Sequence, residues 1–209
     1  MTSFRTIEGR ASAEIEEKKS RFIAHCAHVE TEQEALDFLE EIRSAHRLAR
    51  HNVYAYVLRG DGATPRIRYS DDGEPQKTAG MPTLETIRHA DLTDVIVVVT
   101  RYFGGTLLGT GGLVRAYTRA TQAGLTAAEQ VVISRCVDIV IRIPYPLYDQ
   151  MIVHAANCEA KLLDSQFSDA VTLTYRMIDG TQDALLKKIT ELCRGAQDVS
   201  ISDPIEAAF

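Results

Sequence analysis

At 209 residues, with 45% hydrophobic and 25% charged residues, the chain has the composition of an ordinary water-soluble globular protein, with room for one large domain or two small ones. Its net charge of −6 argues against a molecule that binds nucleic acid over its whole surface, and no apolar run approaches the ~20 residues of a membrane span. The first residues have no signal-peptide pattern, so a cytoplasmic location is expected. The four cysteines are far apart and form no C-x-x-C pair, which gives neither a zinc pattern nor a redox dithiol.

Residues 4–29 read as two strands. Arg10 to Lys18 alternates apolar and polar positions, Ser20 to Val29 is rich in strand formers, and Lys18, Lys19 and Arg21 crowd the turn between them. Thr31 is placed to cap a helix, with Glu34 at the capping-box position. Leu36, Leu39, Ile42 and Leu48 suit its inner face, and Glu32, Glu34, Glu40 and Glu41 a solvated outer one. Asn52 to Leu58 is the next strand, with His51 at its entrance. His46 and His51 lie across a helix end, and Cys26 with His28 supplies only two ligands, so no metal site is expected from either pair.

Arg66 to Ser70 is a short strand that runs into a loop, 71–82, rich in turn residues. Asp71, Asp72 and Glu74 stand there beside Lys77 and Thr78. The three carboxylates fit Mg²⁺ held together with a phosphate ligand, or acceptors for backbone N–H groups. Pro82 at the first helical position then starts a helix through Ile87 to Ala90.

The centre of the chain is the stretch that follows. Val95 to Val99 is an unbroken β-branched run, which predicts a strand buried on both faces. After Arg101, Tyr102 and Phe103 come five glycines within nine residues: Gly104, Gly105, Gly109, Gly111 and Gly112. Helical spacing begins at Leu113 and passes through Ala116, Ala120 and Ala123 to an expected stop at Gly124. A strand, a glycine loop and a helix in that order aim backbone N–H groups at the loop, where an anion is the natural guest. Both phosphate-loop fingerprints fail: Thr110 stands where a P-loop needs lysine, and Val114 where the dinucleotide pattern needs its last glycine. What remains is a loop flanked by Arg101 and Arg115, either an anion cradle or a tight structural turn.

Beyond Gly124 the pattern changes. Val131 to Ile143 is strand-like, Tyr148 to Cys158 helical, and Ala160 to Phe167 with Ala170 to Ile178 a hairpin. Thr181 is placed to cap a helix to Cys193, and Val199 to Ile201 closes the series. That is β-α-β-β-α-β, the split unit of ferredoxin-like domains. Charge reverses with it. Residues 43–119 carry 11 Arg/Lys against 7 Asp/Glu, and residues 131–209 carry 7 against 11. The expected division is therefore 1–130 and 131–209, with any polyanion surface in the first part.

The three most distinctive blocks are His51-Asn-Val-Tyr-Ala-Tyr, Asp71-Asp-Gly-Glu-Pro-Gln-Lys-Thr-Ala-Gly-Met-Pro and Thr100-Arg-Tyr-Phe-Gly-Gly-Thr-Leu-Leu-Gly-Thr-Gly-Gly-Leu-Val-Arg-Ala-Tyr. With these the sequence resembles the IMPACT family, in particular its bacterial YigZ-type members, over nearly its whole length. The resemblance implies an α+β protein of two domains. The first would be an α/β two-layer domain with the fold of a ribosomal-protein superfamily, and the second a ferredoxin-like domain similar to the last domain of elongation factor G. It also implies a link to translation: eukaryotic relatives damp activation of an initiation-factor kinase through a further domain, and bacterial ones are associated with nucleic-acid or ribosome-related binding. Gln76-Lys77 departs from the small Ser-Gly-like pair usual before Thr78, and adds positive charge there.

These readings converge on a non-catalytic, translation-linked binding protein. RNA or a phosphate-bearing ligand would lie against Asp71, Asp72, Glu74, Lys77, Thr78, Arg101, Tyr102, Gly104, Gly105, Gly109, Gly111, Gly112 and Arg115. The arginines would meet phosphates, and Tyr102 or Phe103 would stack on a base. No cofactor, resident metal or membrane partner is expected. Two alternatives stand beside this one. The first is a metal-assisted hydrolase or transferase acting on a phosphorylated small molecule, in which Asp71, Asp72 and Glu74 place the metal. The second is a module that binds a protein through its acidic C-terminal domain. No nucleophile–base pair can be read from the chain, which weighs against an enzyme.

Overall fold

The computed structural model describes residues 3–60, 64–195 and 198–209. The chain divides into two compact units, Phe4–Val131 and Val132–Phe209. In the first, Phe4–Ile7 (β1) leads to a hairpin of Arg10–Glu17 (β2) and Ser20–His28 (β3), whose two-residue turn places Lys18 and Lys19 at positive φ. Then come a helix, Glu32–Ala45 (α1), and the paired strands His51–Leu58 (β4) and Arg66–Ser70 (β5). Gly80–His89 (α2), Val95–Tyr102 (β6) and Gly109–Ala127 (α3) complete the unit. The antiparallel sheet has the order β2-β3-β6-β4-β5.

Strand β6 holds the middle because its residues suit burial on either side. Side chains alternate across a strand, so Val95, Val97 and Val99 pack with Phe22, Ala24, Val53 and Ala55 beneath α2 and α3. Ile96 and Val98 pack with Phe38, Leu39 and Ile42 of α1 on the opposite face.

The helix ends depart from expectation in instructive ways. Thr31 Oγ1 accepts the Glu34 N–H at 3.2 Å as expected, but Glu34 returns its carboxylate to the Glu30 N–H at 2.8 Å, one residue before the capping-box position. The inner face of α1 is Ala35, Phe38, Leu39 and Ile42. Leu36 sits at its margin, and Leu48 is 91% exposed because the helix ends at Ala45. Helix α2 begins at Gly80, two residues before Pro82. Asp71 reaches forward to accept the N–H groups of Ala79 (3.0 Å) and Gly80 (2.8 Å), so a remote carboxylate does the work of a cap. Helix α3 starts at Gly109 instead of Leu113 and runs through Gly124 to Ala127. Gly124 is a packing residue, not a stop: a Cβ there would lie 2.9 Å from both Ala24 Cβ and Cys26 Sγ.

The second unit is built on Gln130–Ile143 (β7), Tyr148–Asn157 (α4), Lys161–Phe167 (β8), Val171–Ile178 (β9), Asp183–Leu192 (α5) and Asp198–Ile201 (β10). Its antiparallel order β10-β7-β9-β8 is the ferredoxin-like arrangement. Thr181 does not cap α5; its hydroxyl donates to Ile178 O at 2.7 Å. A further strand, Ile205–Ala208 (β11), pairs with β7 from Ile205 opposite Cys136 to Ala208 opposite Ile133. Four residues gave no period to read. Among the described residues, no helix is long and apolar enough to cross a membrane.

The apolar cores are separate. Residues from Ile7 to Ala128 supply the clusters on the two faces of the first sheet, and residues from Val137 onward supply the other. A fragment of residues 1–130 is therefore expected to fold alone. Urea titration followed by far-UV circular dichroism should give one cooperative transition. A fragment that is soluble only as a broad, non-cooperative state would mean that the two units depend on each other for their cores.

Candidate functional site

The alternation that buries β6 also sorts its last residues. Arg101 continues the side of Val95, Val97 and Val99, toward α3, whereas Tyr102 turns to the side of α1. There the Tyr102 hydroxyl meets His46 Nδ1 at 2.9 Å, and the Arg21 guanidinium lies 5.5 Å from its ring centre. Phe103 returns to the α3 side and is 44% exposed.

Arg101 is buried, and its Nη1 donates to Glu74 Oε1 at 2.5 Å. The same oxygen accepts the Tyr117 hydroxyl of α3 at 2.9 Å. Burial, with the Glu74 carboxylate next in importance, drives the Tyr117 phenol far above its ordinary range and keeps it a donor. Among the described residues, the Nε of Arg101 has no hydrogen-bond partner. A buried donor without an acceptor is uncommon, and it costs free energy unless a ligand or water completes it.

Beside this cluster opens a cleft of about 440 Å³. Phe103, Leu107, Leu108, Leu113 and Pro75 give it mostly apolar walls, and Arg50, His51, Glu74 and Arg101 supply its charged or titratable groups. Gly109 and Thr110, the first residues of α3, complete the lining. Among the described residues no side chain caps this helix, and Gly109 enters it at φ +69. Its first N–H groups are thus open, at the positive end of the helix dipole. His51 donates from Nδ1 to Asp72 O at 2.7 Å, which fixes the ring at the cleft wall.

The expected site residues are brought together only in part. Glu74, Arg101 and Gly109 line the cleft. Asp71 is spent on the N–H groups of Lys77, Ala79 and Gly80. Asp72 accepts the Asn52 N–H at 2.7 Å and pairs with Arg43 at 3.1 Å, which leaves Glu74 as the carboxylate that meets Arg101. The three carboxylates do not converge, and among the described residues no group of three or more His, Cys, Asp or Glu is placed to hold a metal. Thr78 bonds within its own loop, to Pro75 O, and Lys77 is exposed. Gly104 and Gly105 belong to the loop before α3, while Gly111 and Gly112 lie in the helix's first turn. Arg115 is exposed on α3 outside the cleft lining, and Tyr102 faces away from it. Most of the other cleft residues, Arg50, His51 and Leu107 among them, had no place in the expected set. Arg50 arrives through the pairing of β4 with β6, which sets His51 opposite Arg101. The wall residue Leu107 is 84% exposed.

The chain is similar to known proteins over most of its length. The Impact N-terminal domain family model matches residues 18–125. The chain is 37% identical over 205 residues to the IMPACT family member YvyE of Bacillus subtilis, covering 94% of this chain and 90% of that one. It is 31% identical over 179 residues to the IMPACT family member YigZ of Escherichia coli, covering 86% and 88%. A crystal structure of a hypothetical protein covers 95% of this chain and 97% of its own, at 30% identity and a TM-score of 0.62. The solved two-domain translational regulator Yih1 shares 31% identity over 58% of this chain and 48% of its own, at a TM-score of 0.39.

Proposed function

The chain belongs to the IMPACT family, and on that premise we propose that it is a non-catalytic, translation-linked binding protein that takes RNA or another phosphate-bearing ligand in the cleft of its first unit. Members of the family are linked to translation regulation. The observation that carries the ligand class is the meeting of an uncapped helix N-terminus with a buried arginine that has a donor to spare. Backbone N–H groups, a helix dipole and a guanidinium are the means by which proteins hold phosphate oxygens. The enzyme reading gains nothing from the site, because its three carboxylates are engaged separately by backbone N–H groups and arginines.

Short RNA oligonucleotides are expected to bind at low salt and to weaken as salt rises, since phosphate contacts release counterions. Replacing the exposed Arg115 by Ala should weaken an oligonucleotide that runs out of the cleft along α3. The loss should be about 1 kcal/mol, with the salt slope falling by roughly 0.7 for the single lost contact. Replacing Lys187 and Lys188 of α5 should leave binding unchanged. Fluorescence anisotropy at several salt concentrations reads both quantities. Equal oligonucleotide binding by all variants would show that the RNA does not run along α3.

A further inference from the structure

The cleft is small and its charge is limited, which narrows the ligand further than the family does. Its lining carries Arg50 and Arg101 against Glu74, one formal positive charge in balance. The open end of α3 adds the equivalent of about half a charge. That complement suits one phosphate group. A polynucleotide track would need cations repeated along its length. The cleft volume, about 440 Å³, lies within the range of about 300–1,000 Å³ typical of small-molecule sites.

The walls add a second requirement. Phe103 presents an aromatic face that is 44% exposed, with Leu107, Leu108 and Leu113 around it. The Arg101 guanidinium carbon lies 5.7 Å from the Phe103 ring centre, so the phosphate-binding group and the apolar face are neighbours. A flat apolar body attached to a single phosphate would satisfy both. The Arg101 guanidinium, which lines the cleft and whose buried Nε has no partner among the described residues, supplies the cationic side, and Gly109 and Thr110 supply backbone N–H groups for the remaining oxygens. A tetrahedral phosphate monoester has enough oxygens to meet donors arriving from both β6 and α3.

We propose that the cleft recognises a nucleoside 5′-monophosphate unit, free or at the 5′ end of an RNA, with its phosphate between Arg101 and the first turn of α3 and its base against Phe103. This rests on the phosphate-binding reading above and specifies it. The terminal unit itself is read in the cleft, so Arg115, outside the lining, can meet only an oligonucleotide that continues past it.

The test uses the full chain and calorimetric titration at low salt with adenosine, adenosine 5′-monophosphate, inorganic phosphate, and one oligoribonucleotide with and without a 5′-phosphate. The monophosphate should bind at least tenfold more tightly than adenosine, and the 5′-phosphorylated oligonucleotide at least tenfold more tightly than its 5′-hydroxyl form. Phe103→Ala, at an exposed position, should weaken the monophosphate about tenfold and leave inorganic phosphate within twofold. Arg115→Ala should leave the monophosphate unchanged. If the phosphorylated oligonucleotide far exceeds the monophosphate, the unit is presented by an RNA end; if the two are equal, it is a free nucleotide. Oligonucleotides that bind equally with or without the 5′-phosphate, and that the monophosphate does not displace, would overturn this inference and leave the broader reading standing. If none of the probes binds, both fall.

Discussion

Glu74→Ala should lower the unfolding free energy by about 3–5 kcal/mol, the cost of leaving one half of a buried ion pair behind. The carboxylate side chain is 4% exposed and that of Arg101 7%, so neither has much water to turn to. Glu74 Oε1 accepts from Arg101 Nη1 and from the Tyr117 hydroxyl. Its removal strands a guanidinium whose Nε already lacks a partner, together with a phenol held protonated by burial. Glu74→Gln keeps an acceptor for one donor and should cost less than the Ala variant. Combining Glu74→Ala with Arg101→Met should cost less than the two single losses added, because the stranded charge is gone. Urea midpoints at neutral pH measure all four proteins. A loss below about 1 kcal/mol for Glu74→Ala would mean that the pair is wet in solution and behaves as a surface bridge.

The division between what the chain announced and what it concealed follows the range of the interactions. β6 was legible because Val95 to Val99 is apolar at consecutive positions, short and wholly β-branched, which favours a strand covered on both sides over a helix. The second unit was legible because β7, β9, α4 and α5 each carry their own local period. Parity along β6 also held information about the site: Arg101 and Phe103 share a side and Tyr102 does not, so of the two aromatics only Phe103 could stand at the cleft. The pairing of Arg101 with Glu74 was beyond reach, since 27 residues separate them and three carboxylates competed for the role. Asp71 and Asp72 were claimed by N–H groups of Gly80 and Asn52, whose positions depend on the finished fold. Arg50 joined the cleft only through strand register. The start of α3 was misjudged because glycines read as loop in isolation, whereas here they open a helix.

Gly104→Ala should cost about 2–4 kcal/mol, more than the same change at its neighbour Gly105. Gly104 has no unusual backbone angle; its constraint is space. A Cβ built on it would lie 2.0 Å from Lys19 C, 2.1 Å from Lys19 O and 2.4 Å from Ser20 N. Those are backbone atoms of the β2–β3 turn, which is fixed by the hairpin and cannot swing aside as a side chain would. The Gly104 N–H also donates to Ser20 Oγ at 3.1 Å, so the two segments must separate and lose this bond. At Gly105 the case is reversed: nothing lies within 4 Å of the added carbon, but φ is +85. Only the left-handed strain of about 1–2 kcal/mol is then expected. The order of the two variants therefore separates steric exclusion from backbone strain, and thermal or urea unfolding measures it directly. Phe103 is bonded to Gly104, so the steric variant should also displace the cleft wall. It should weaken adenosine 5′-monophosphate under conditions where the protein remains folded. Equal costs at the two positions would show that the β2–β3 turn does not press against the glycine segment in solution, and the cleft wall would lose the support that fixes it.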